Sequence, residues 1–269
     1  MNTPVSMSTV LAVHRELRSQ NPLVQYITNY VSMDIAANVL NAAGASPAMV
    51  HDAQESGEFA AISSALAINI GTLSPTWVEG MEAAVHAAHD HGKPWVLDPV
   101  AVGATSYRRA TVERLLTYEP TVVRGNASEI LAIASQIKMG KGVDSTIGAT
   151  DVIEQARELA SSTGAVIVVS GKADVITDGQ RTYLVHGGDD RMPLITALGC
   201  SSTALVAACC AVETDPVAAS VSAMAILAAA GGIAGTHAEG PGSLRWRLLD
   251  ELASLNDTKL AKHAAIEVL

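Results

Sequence analysis

Short apolar runs alternate with longer segments of helical periodicity along most of this chain, and this alternation limits the possible folds more than any other feature. Short runs rich in Val, Ile, Leu and Ala are typical of buried strands. Strands that alternate with helices predict βαβ units and a largely parallel central sheet with helices on both faces. The predicted strands are Leu23–Ile27, Ala67–Ile70, Trp95–Leu97, Thr121–Val123 and Ala165–Val169.

The segments between these strands, and most of the chain after them, have the spacing of helices. We expect an antiparallel hairpin within Val175–Val185, at the sheet edge, because Asp178-Gly179 is a turn signal between two extended runs. The glycines in Lys138–Gly148 make that segment the best candidate for a mobile excursion. The predicted helices are Asp34–Ala43, Thr76–His91, Ala110–Thr117, Ala127–Gln136, Asp151–Ser162, Ser202–Val212, Pro216–Thr236 and Leu244–Leu255.

Length and composition indicate one large domain. The chain has 269 residues, of which 49% are apolar and 16% charged. This length lies near the upper limit for one hydrophobic core, so we expect a single domain over residues 1–269. The net charge of −10 disfavours binding to nucleic acid, which needs clustered Lys and Arg. Cys200, Cys209 and Cys210 fit neither a disulfide framework nor a CxxC metal site, which favours a reducing, cytoplasmic compartment.

One apolar segment is long enough to span a bilayer. Val217–Gly235 carries no charge, but Ala, Ser and Gly dominate it rather than Leu and Phe. Asp215 precedes it closely and Glu239 follows it. We therefore expect a buried helix and no membrane partner.

Small residues around Gly199-Cys200 predict an anion site at the N-terminus of a helix. Free backbone N–H groups and the positive end of the helix dipole attract negative charge there. With a helix starting at Ser202, the amides of Gly199, Ser201 and Ser202 would form an anion hole. The same field would lower the pKa of the Cys200 thiol. The alternative is an ordinary helix cap made by Ser201 or Ser202.

Polar residues follow two of the predicted strands. Asp98 comes directly after one strand, and Arg124, Asn126 and Glu129 follow another, which places them on one rim of the sheet. Arg124 offers a planar fork for a phosphate, and the two carboxylates could hold Mg²⁺. The alternative for Asn126 and Glu129 is a capping box.

Two further residues suit a heterocyclic ligand. Asn29, after the first strand, could hydrogen-bond a polar ring atom, and the sulfur of Met49 could pack against a flat ring. The alternative for Met49 is simple core filling. Neither GxGxxG nor GxxxxGK[ST] occurs, so a bound nucleotide needs a different phosphate site, which the Gly199-Cys200 turn would supply.

The order of these motifs resembles the hydroxyethylthiazole kinase family of the ribokinase-like superfamily. The resemblance implies a ribokinase-like fold and ATP-dependent phosphorylation of 4-methyl-5-(2-hydroxyethyl)thiazole in thiamin salvage, with Mg²⁺. It also implies a homotrimer with active sites between subunits. The motifs are Asn21-Pro22-Leu23-Val24, Ile27-Thr28-Asn29-Tyr30-Val31, Gly44-Ala45-Ser46-Pro47-Ala48-Met49, Leu97-Asp98-Pro99-Val100, Arg124-Gly125-Asn126-Ala127-Ser128-Glu129, Gly199-Cys200 and Gly240-Pro241-Gly242-Ser243.

The resemblance also implies roles for individual residues. These are Met49 and Ala197 at the thiazole, Arg124 and Ser170 at ATP, Asp98 and Glu129 on the magnesium side, and Cys200 beside the reacting hydroxyl.

The chain departs from the family pattern near Cys200. Where the family commonly has Gly-Thr-Gly-Cys, this chain has Ala197-Leu198-Gly199-Cys200, and Ser170 stands where Thr is usual. Two alternatives to the thiazole kinase stay open at this point. One is another ribokinase-like kinase, acting on a hydroxymethylpyrimidine or a sugar, and the other is a non-catalytic nucleotide-binding regulator.

Overall fold

A nine-stranded sheet runs through the molecule in the order β2-β1-β3-β4-β5-β6-β7-β8-β9. The structure is a computed structural model that describes residues 4–140 and 152–269. The strands are β1 Leu23–Ile27, β2 Ser46–Ala48, β3 Ala65–Asn69, β4 Trp95–Asp98, β5 Val122–Asn126, β6 Val166–Ser170, β7 Asp174–Thr177, β8 Thr182–His186 and β9 Ala265–Val268.

The first six strands are parallel and the last three are antiparallel. The parallel sheet and the hairpin β7–β8 are confirmed. Beyond the hairpin, β9 pairs with β8 and forms the outermost strand. Parallel strands end on the same rim, and there Asn69 on β3 pairs with Asp98 on β4, and Asn126 on β5 pairs with Ser170 on β6.

Helices cover both faces of the sheet and bury two separate apolar cores. Residues of α1, α2, α8, α9 and α10 pack in one core, and residues of α4 to α7 pack in the other. The helices are α1 Met7–Gln20, α2 Met33–Ala43, α3 Ser56–Ile62, α4 Pro75–Asp90, α5 Ser106–Leu116, α6 Ala127–Gly140, α7 Val152–Thr163, α8 Leu198–Cys210, α9 Pro216–Gly235, α10 Pro241–Ser254 and α11 Asp257–His263.

Small side chains on one face of the sheet bring α8 close to the strands. Along β3, Ala65 and Ala67 belong to the core that contains α8, whereas Leu66 and Ile68 point into the opposite core. Alternate residues of a strand face opposite sides, so the alanines give α8 a shallow surface to pack on. This contact sets the start of α8 beside the carboxyl ends of the central strands.

The helix α9 is the buried helix that the sequence predicts. It is long and apolar enough to cross a membrane by length and composition, but 89% of its most apolar window is buried inside the fold. Asp215 caps its start by accepting a hydrogen bond from the N–H of Val217 at 3.1 Å.

Several elements were missed or misplaced by the sequence analysis. The strand β2 is short and contains Pro47, and β9 follows α11 in a region predicted to be nearly all helix, so neither gives a strong period-2 signal. The helices α1, α3 and α11 were not delimited. The helix α8 begins at Leu198 rather than Ser202. All but the first three residues of the predicted excursion, Lys138–Gly148, lie outside the described residues.

Candidate active site

A cavity of about 710 Å³ opens at the carboxyl ends of β4, β5 and β6, against the start of α8. Another cavity, of about 780 Å³, lies between α1 and α11. Its cations Arg15 and Lys259 are paired with carboxylates, and Arg18 donates to the backbone carbonyls of Leu252 and Ala253. The cavity at the rim collects most of the predicted site residues. They are Asp98, Arg124, Glu129, Ser170, Ala197, Gly199, Cys200 and Ser202.

Arg124 points at the start of α8. It lies within β5 and is only 8% exposed, and its guanidinium donates a hydrogen bond to the hydroxyl of Ser170 on β6. A Cβ atom on Gly199 would lie 3.0 Å from Nη1 of Arg124, so the guanidinium packs against the bare backbone of the turn. The Nε–H of Arg124 is buried and has no acceptor among the described residues. A fixed cation and a helix start therefore face the same space.

The free amides at this helix start differ from the predicted set. Gly199 and Cys200 lie in the first turn, and their N–H groups have no acceptor in the described part of the chain. Ser201 donates its N–H to the carbonyl of Ala197 at 3.0 Å, and Ser202 lies a full turn inside the helix. The assignment of Ser201 and Ser202 amides to an anion hole was therefore wrong, because the helix starts four residues earlier than predicted.

The two serines bond locally instead. The hydroxyl of Ser201 donates to the carbonyl of Ala197 at 3.0 Å, and that of Ser202 donates to the carbonyl of Gly199 at 2.7 Å. Ser201 is fully buried and does not line the cavity. Neither hydroxyl caps the helix by accepting a backbone N–H.

Ala197 precedes α8 in a left-handed conformation. Its φ is +63°. This conformation costs free energy for any residue that has a Cβ atom, whereas glycine adopts it freely. The position that is commonly glycine in the family pattern is thus the one whose backbone is left-handed in this chain. The conformation turns the chain so that the amides of Gly199 and Cys200 face the cavity.

Asp98 is a buried carboxylate with one engaged oxygen. It is 1% exposed, and its Oδ2 accepts hydrogen bonds from Asn69 Nδ2 at 2.7 Å and from the hydroxyl of Thr203 at 2.8 Å. Its Oδ1 accepts none from the described residues. Burial raises the pKa of Asp98 to about 6, although Arg124 and the two hydrogen bonds act in the opposite direction.

Glu129 forms the capping box that was the structural alternative. Its Oε2 accepts the N–H of Asn126 at 2.8 Å, and the side-chain oxygen of Asn126 accepts the N–H of Glu129 at 3.0 Å. Its other oxygen accepts the N–H of Ala101 at 2.9 Å. Glu129 nevertheless lines the cavity beside Asp98, so the two interpretations are compatible.

Cys200 lies between the cavity and Asn29. The side-chain amide of Asn29 is 3.5 Å from the sulfur, and the hydroxyl of Tyr26 donates to the Cys200 carbonyl at 2.8 Å. Burial, followed by the charge of Asp98, raises the pKa of the Cys200 thiol. The expectation of a lowered thiol pKa was wrong, because the sequence does not report the depth at which the helix start lies.

Met49 is placed separately from the cavity. It directly follows β2, half-buried against the core that contains α8, and it does not line the cavity. The last residues of β2 pair with β1, so Met49 is on the same rim as Asn29. Neither Met49 nor Asn29, the two residues expected to contact a heterocyclic ligand, therefore lines this cavity.

Sequence reasoning missed several residues of this site. Asn69 and Thr203 hold Asp98, and Tyr26 holds the backbone of Cys200. Asn69 ends β3, but the predicted strand Ala67–Ile70 extends one residue further and places Asn69 in its interior, so the position at a strand end was not recognised. Lys172, in the turn after β6, and Asp174, the first residue of β7, also line the cavity, and no motif marked them.

The comparisons with known proteins agree on one family. The sequence model of the hydroxyethylthiazole kinase family matches residues 14–258. The hydroxyethylthiazole kinase of Rhizobium johnstonii is 53% identical over 256 residues, which cover 95% of this chain and 96% of that protein. The hydroxyethylthiazole kinase of Cereibacter sphaeroides is 53% identical over 251 residues, covering 93% of this chain and 95% of the relative.

Solved structures give the same result for the fold. The hydroxyethylthiazole kinase of Pyrococcus horikoshii superimposes with a TM-score of 0.90 at 32% identity and covers 97% of this chain and 99% of its own. The pyridoxal kinase of Staphylococcus aureus, in complex with AMP-PCP and pyridoxal, has a TM-score of 0.61 at 16% identity, covering 92% and 97%. The second likeness concerns the ribokinase-like fold alone.

Asp98→Asn tests the cost of the buried carboxylate. The raised pKa means that the folded state binds more protons than the unfolded state between pH 3.8 and about 6, so stability falls as the pH rises through that window. An Asn oxygen in place of Oδ2 can keep both hydrogen bonds. We expect the variant to be more stable than wild type at pH 8 by up to about 3 kcal/mol, with the difference vanishing near pH 4. Urea unfolding with a chelator present measures this; parallel pH profiles for the two proteins would contradict it.

Ala197→Gly tests the left-handed residue. Relief of about 1–2 kcal/mol of backbone strain outweighs the entropy that glycine adds to the unfolded chain, so we expect a gain of about 1 kcal/mol in the free energy of unfolding. Ala211→Gly is the control, because Ala211 ends the same helix at a φ of −70° and should lose stability. A loss in both variants rules out strain at Ala197.

Proposed function

This chain belongs to the hydroxyethylthiazole kinase family, and we propose that it transfers the γ-phosphoryl group of ATP to the hydroxyl of 4-methyl-5-(2-hydroxyethyl)thiazole in thiamin salvage. The observation that carries the proposal is the convergence of Arg124 and the free amides of Gly199 and Cys200 on one cavity. Preorganised donors of this kind stabilise the charge of a transferring phosphoryl group. We propose one kinase domain over residues 1–269.

The cavity is lined by both polar and apolar side chains, which suits a nucleotide. Arg124, Ser170 and the start of α8 would hold the phosphates. Met192, Ile195 and Leu227 supply apolar surface away from the strand ends, where the base would pack. The side chain of Ser170 is already fixed by Arg124, so its hydroxyl would act together with the guanidinium.

The donor set fits Mg²⁺. Magnesium is commonly held by one or two carboxylates together with substrate phosphates. Asp98 lines the cavity with an unengaged oxygen, and Glu129 is the second carboxylate. The described lining also has more carboxylates than cations, so a triphosphate there needs a counter-cation. We propose that Asp98 and Glu129 hold the ion, which would neutralise phosphate charge when bound.

We propose that Cys200 orients the acceptor hydroxyl. In the reaction the alcohol oxygen forms a bond to the γ-phosphorus as the bond to ADP breaks. The transition state is loose, so the hydroxyl proton leaves late, to an oxygen of the transferred phosphoryl group, and little basicity is required of the protein. A thiol with a raised pKa suits an orienting group better than a resting base. Asn29, 3.5 Å from the sulfur, lies on the acceptor side, where we place the thiazole with Met49 and Ala197.

We propose a homotrimer with active sites between subunits, located in the cytoplasm. Tyr30 and Val31, directly after Asn29, are 68% and 61% exposed although both are large and apolar. Exposed apolar side chains next to an open acceptor side favour cover by another subunit. The three cysteines are free thiols, which suits a reducing compartment.

The test is product formation with purified chain, Mg-ATP and the thiazole alcohol, with the phosphate ester detected by mass spectrometry. A hydroxymethylpyrimidine and ribose are offered in parallel. We expect the thiazole ester with the highest kcat/KM. Faster phosphorylation of the pyrimidine or the sugar would overturn the substrate assignment, and ATP binding without turnover of any alcohol would indicate a regulator.

Cys200 variants test the role of the thiol. Cys200→Ala should lower kcat by about 10- to 100-fold without abolishing it, because a loose transition state needs positioning more than proton removal. Cys200→Asp should stay active, since a carboxylate can accept the same hydrogen bond. Cys209→Ala, in the buried part of the same helix, is the control. Wild-type kcat/KM in Cys200→Ala would disprove the role.

A further inference from the structure

The side chain of Asn69 connects Asp98 with Asn29 by hydrogen bonds. Asn69 ends β3, is completely buried, and pairs in register with Asp98 on β4. On its other side β1 leads to Asn29. Its Oδ1 accepts a hydrogen bond from Asn29 Nδ2 at 2.8 Å, and its Nδ2 donates to Asp98 Oδ2 at 2.7 Å.

Backbone amides fix the orientation of both side chains. The N–H of Gly71 donates to Oδ1 of Asn69 at 2.9 Å, and since a backbone N–H only donates, Nδ2 of Asn69 must face Asp98. The N–H groups of Val31 and Ser32 donate to Oδ1 of Asn29 at 3.0 and 3.1 Å. The Asn29 amide therefore directs its hydrogens at Asn69 and at the Cys200 sulfur.

The anchor at Gly71 is itself held rigidly. Arg108 donates to the carbonyls of Ile70 and Gly71 at 2.6 Å each, and to that of Val100 at 2.9 Å. A Cβ atom on Gly71 would lie 2.7 Å from Asn29, so no slack separates this turn from the Asn29 side chain. The chain of hydrogen bonds thus starts from backbone that Arg108 holds in place.

This chain of hydrogen bonds ends at Asp98 on one side and at Cys200 on the other, and these two groups have different proposed partners. With Asn69 and Thr203 both donating to Oδ2 of Asp98, the unbonded Oδ1 is left for the phosphate side. With Asn29 directed at its sulfur, Cys200 is turned for the acceptor hydroxyl. Asn69 itself is completely buried and does not line the cavity, so it has no direct access to a bound reactant.

We propose that Asn69 is a positioning residue for phosphoryl transfer, setting the rotamer of Asp98 on the phosphate side and the direction of the Asn29 amide on the acceptor side. This inference rests on the proposed function. In this proposal the buried amide of Asn69 aligns the two reactants with each other. A misplacement of about 1 Å can cost about 100-fold in rate, so the alignment is kinetically valuable.

The kinetic test is Asn69→Asp, which has nearly the same shape but turns an acceptor toward Oδ2 of Asp98. We expect kcat to fall by at least about 30-fold while KM for ATP and for the thiazole alcohol changes less than about threefold. The matched control is Gln25→Glu. Gln25 is also completely buried, on the neighbouring strand, and its amide donates to the carbonyls of Val50 and Ser56 away from the cavity. Its kcat, per folded molecule, should stay within twofold of wild type.

Equal kcat losses in Asn69→Asp and Gln25→Glu, following the loss of folded protein, would overturn the proposal. Asn69→Ala gives a readout that needs neither turnover nor a carboxylate at this position. In crystals grown without ATP, we expect the Asp98 or Asn29 side chain to rotate away from its wild-type position. If both keep their rotamers, Asn69 does not position them. The wild-type product assay tests the proposed function separately.

Discussion

The approach of the Arg124 guanidinium to the bare backbone of Gly199 is the contact on which the rest of this site depends. A Cβ atom at position 199 would lie 3.0 Å from the guanidinium, so the absence of a side chain lets a buried cation and two free amides face one space. The sheet supplies the cation from β5 and the packing of α8 on the alanines of β3 supplies the amides. Neither element would bind a phosphate well alone, since the lining is otherwise rich in carboxylates.

Two features of the site are unfavourable for folding taken alone, a buried carboxylate and a left-handed residue that carries a Cβ atom. Asp98 is buried as a carboxylate with a pKa of about 6, and Ala197 takes a left-handed conformation at the start of α8. Both features cost stability, and both bring a group to the cavity. Buried polar groups are tolerated when their hydrogen bonds are satisfied, and Asn69 and Thr203 do this for one oxygen of Asp98. The other oxygen, Oδ1, is the one that we propose faces the magnesium ion.

The sequence predicted which residues lie at the rim of the sheet better than it predicted how deeply the site is buried. Asp98 and Arg124 were located because polar residues at the ends of parallel strands meet on one edge. The start of α8 was misplaced because Leu198 reads as an apolar residue outside the Gly-Ser run and the left-handed turn at Ala197 leaves no periodic signal. The thiol pKa of Cys200 had the wrong sign because burial is a tertiary property. The edge strands β2 and β9 are too short to show alternation.

The most direct measurement of the central claim compares Gly199→Val with Gly242→Val. Both glycines are second in their helices, α8 and α10, and a Cβ atom on Gly242 meets nothing within 4 Å. The change in helix propensity, which slightly favours Val over Gly, is therefore shared, and only Gly199→Val presses on Arg124 and covers the free amides. We predict that Gly199→Val lowers kcat/KM for ATP by at least about 100-fold relative to Gly242→Val, while crowding against Arg124 makes it less stable than Gly242→Val by only about 1–3 kcal/mol. Equal kcat/KM in the two variants would contradict the phosphate site at this turn.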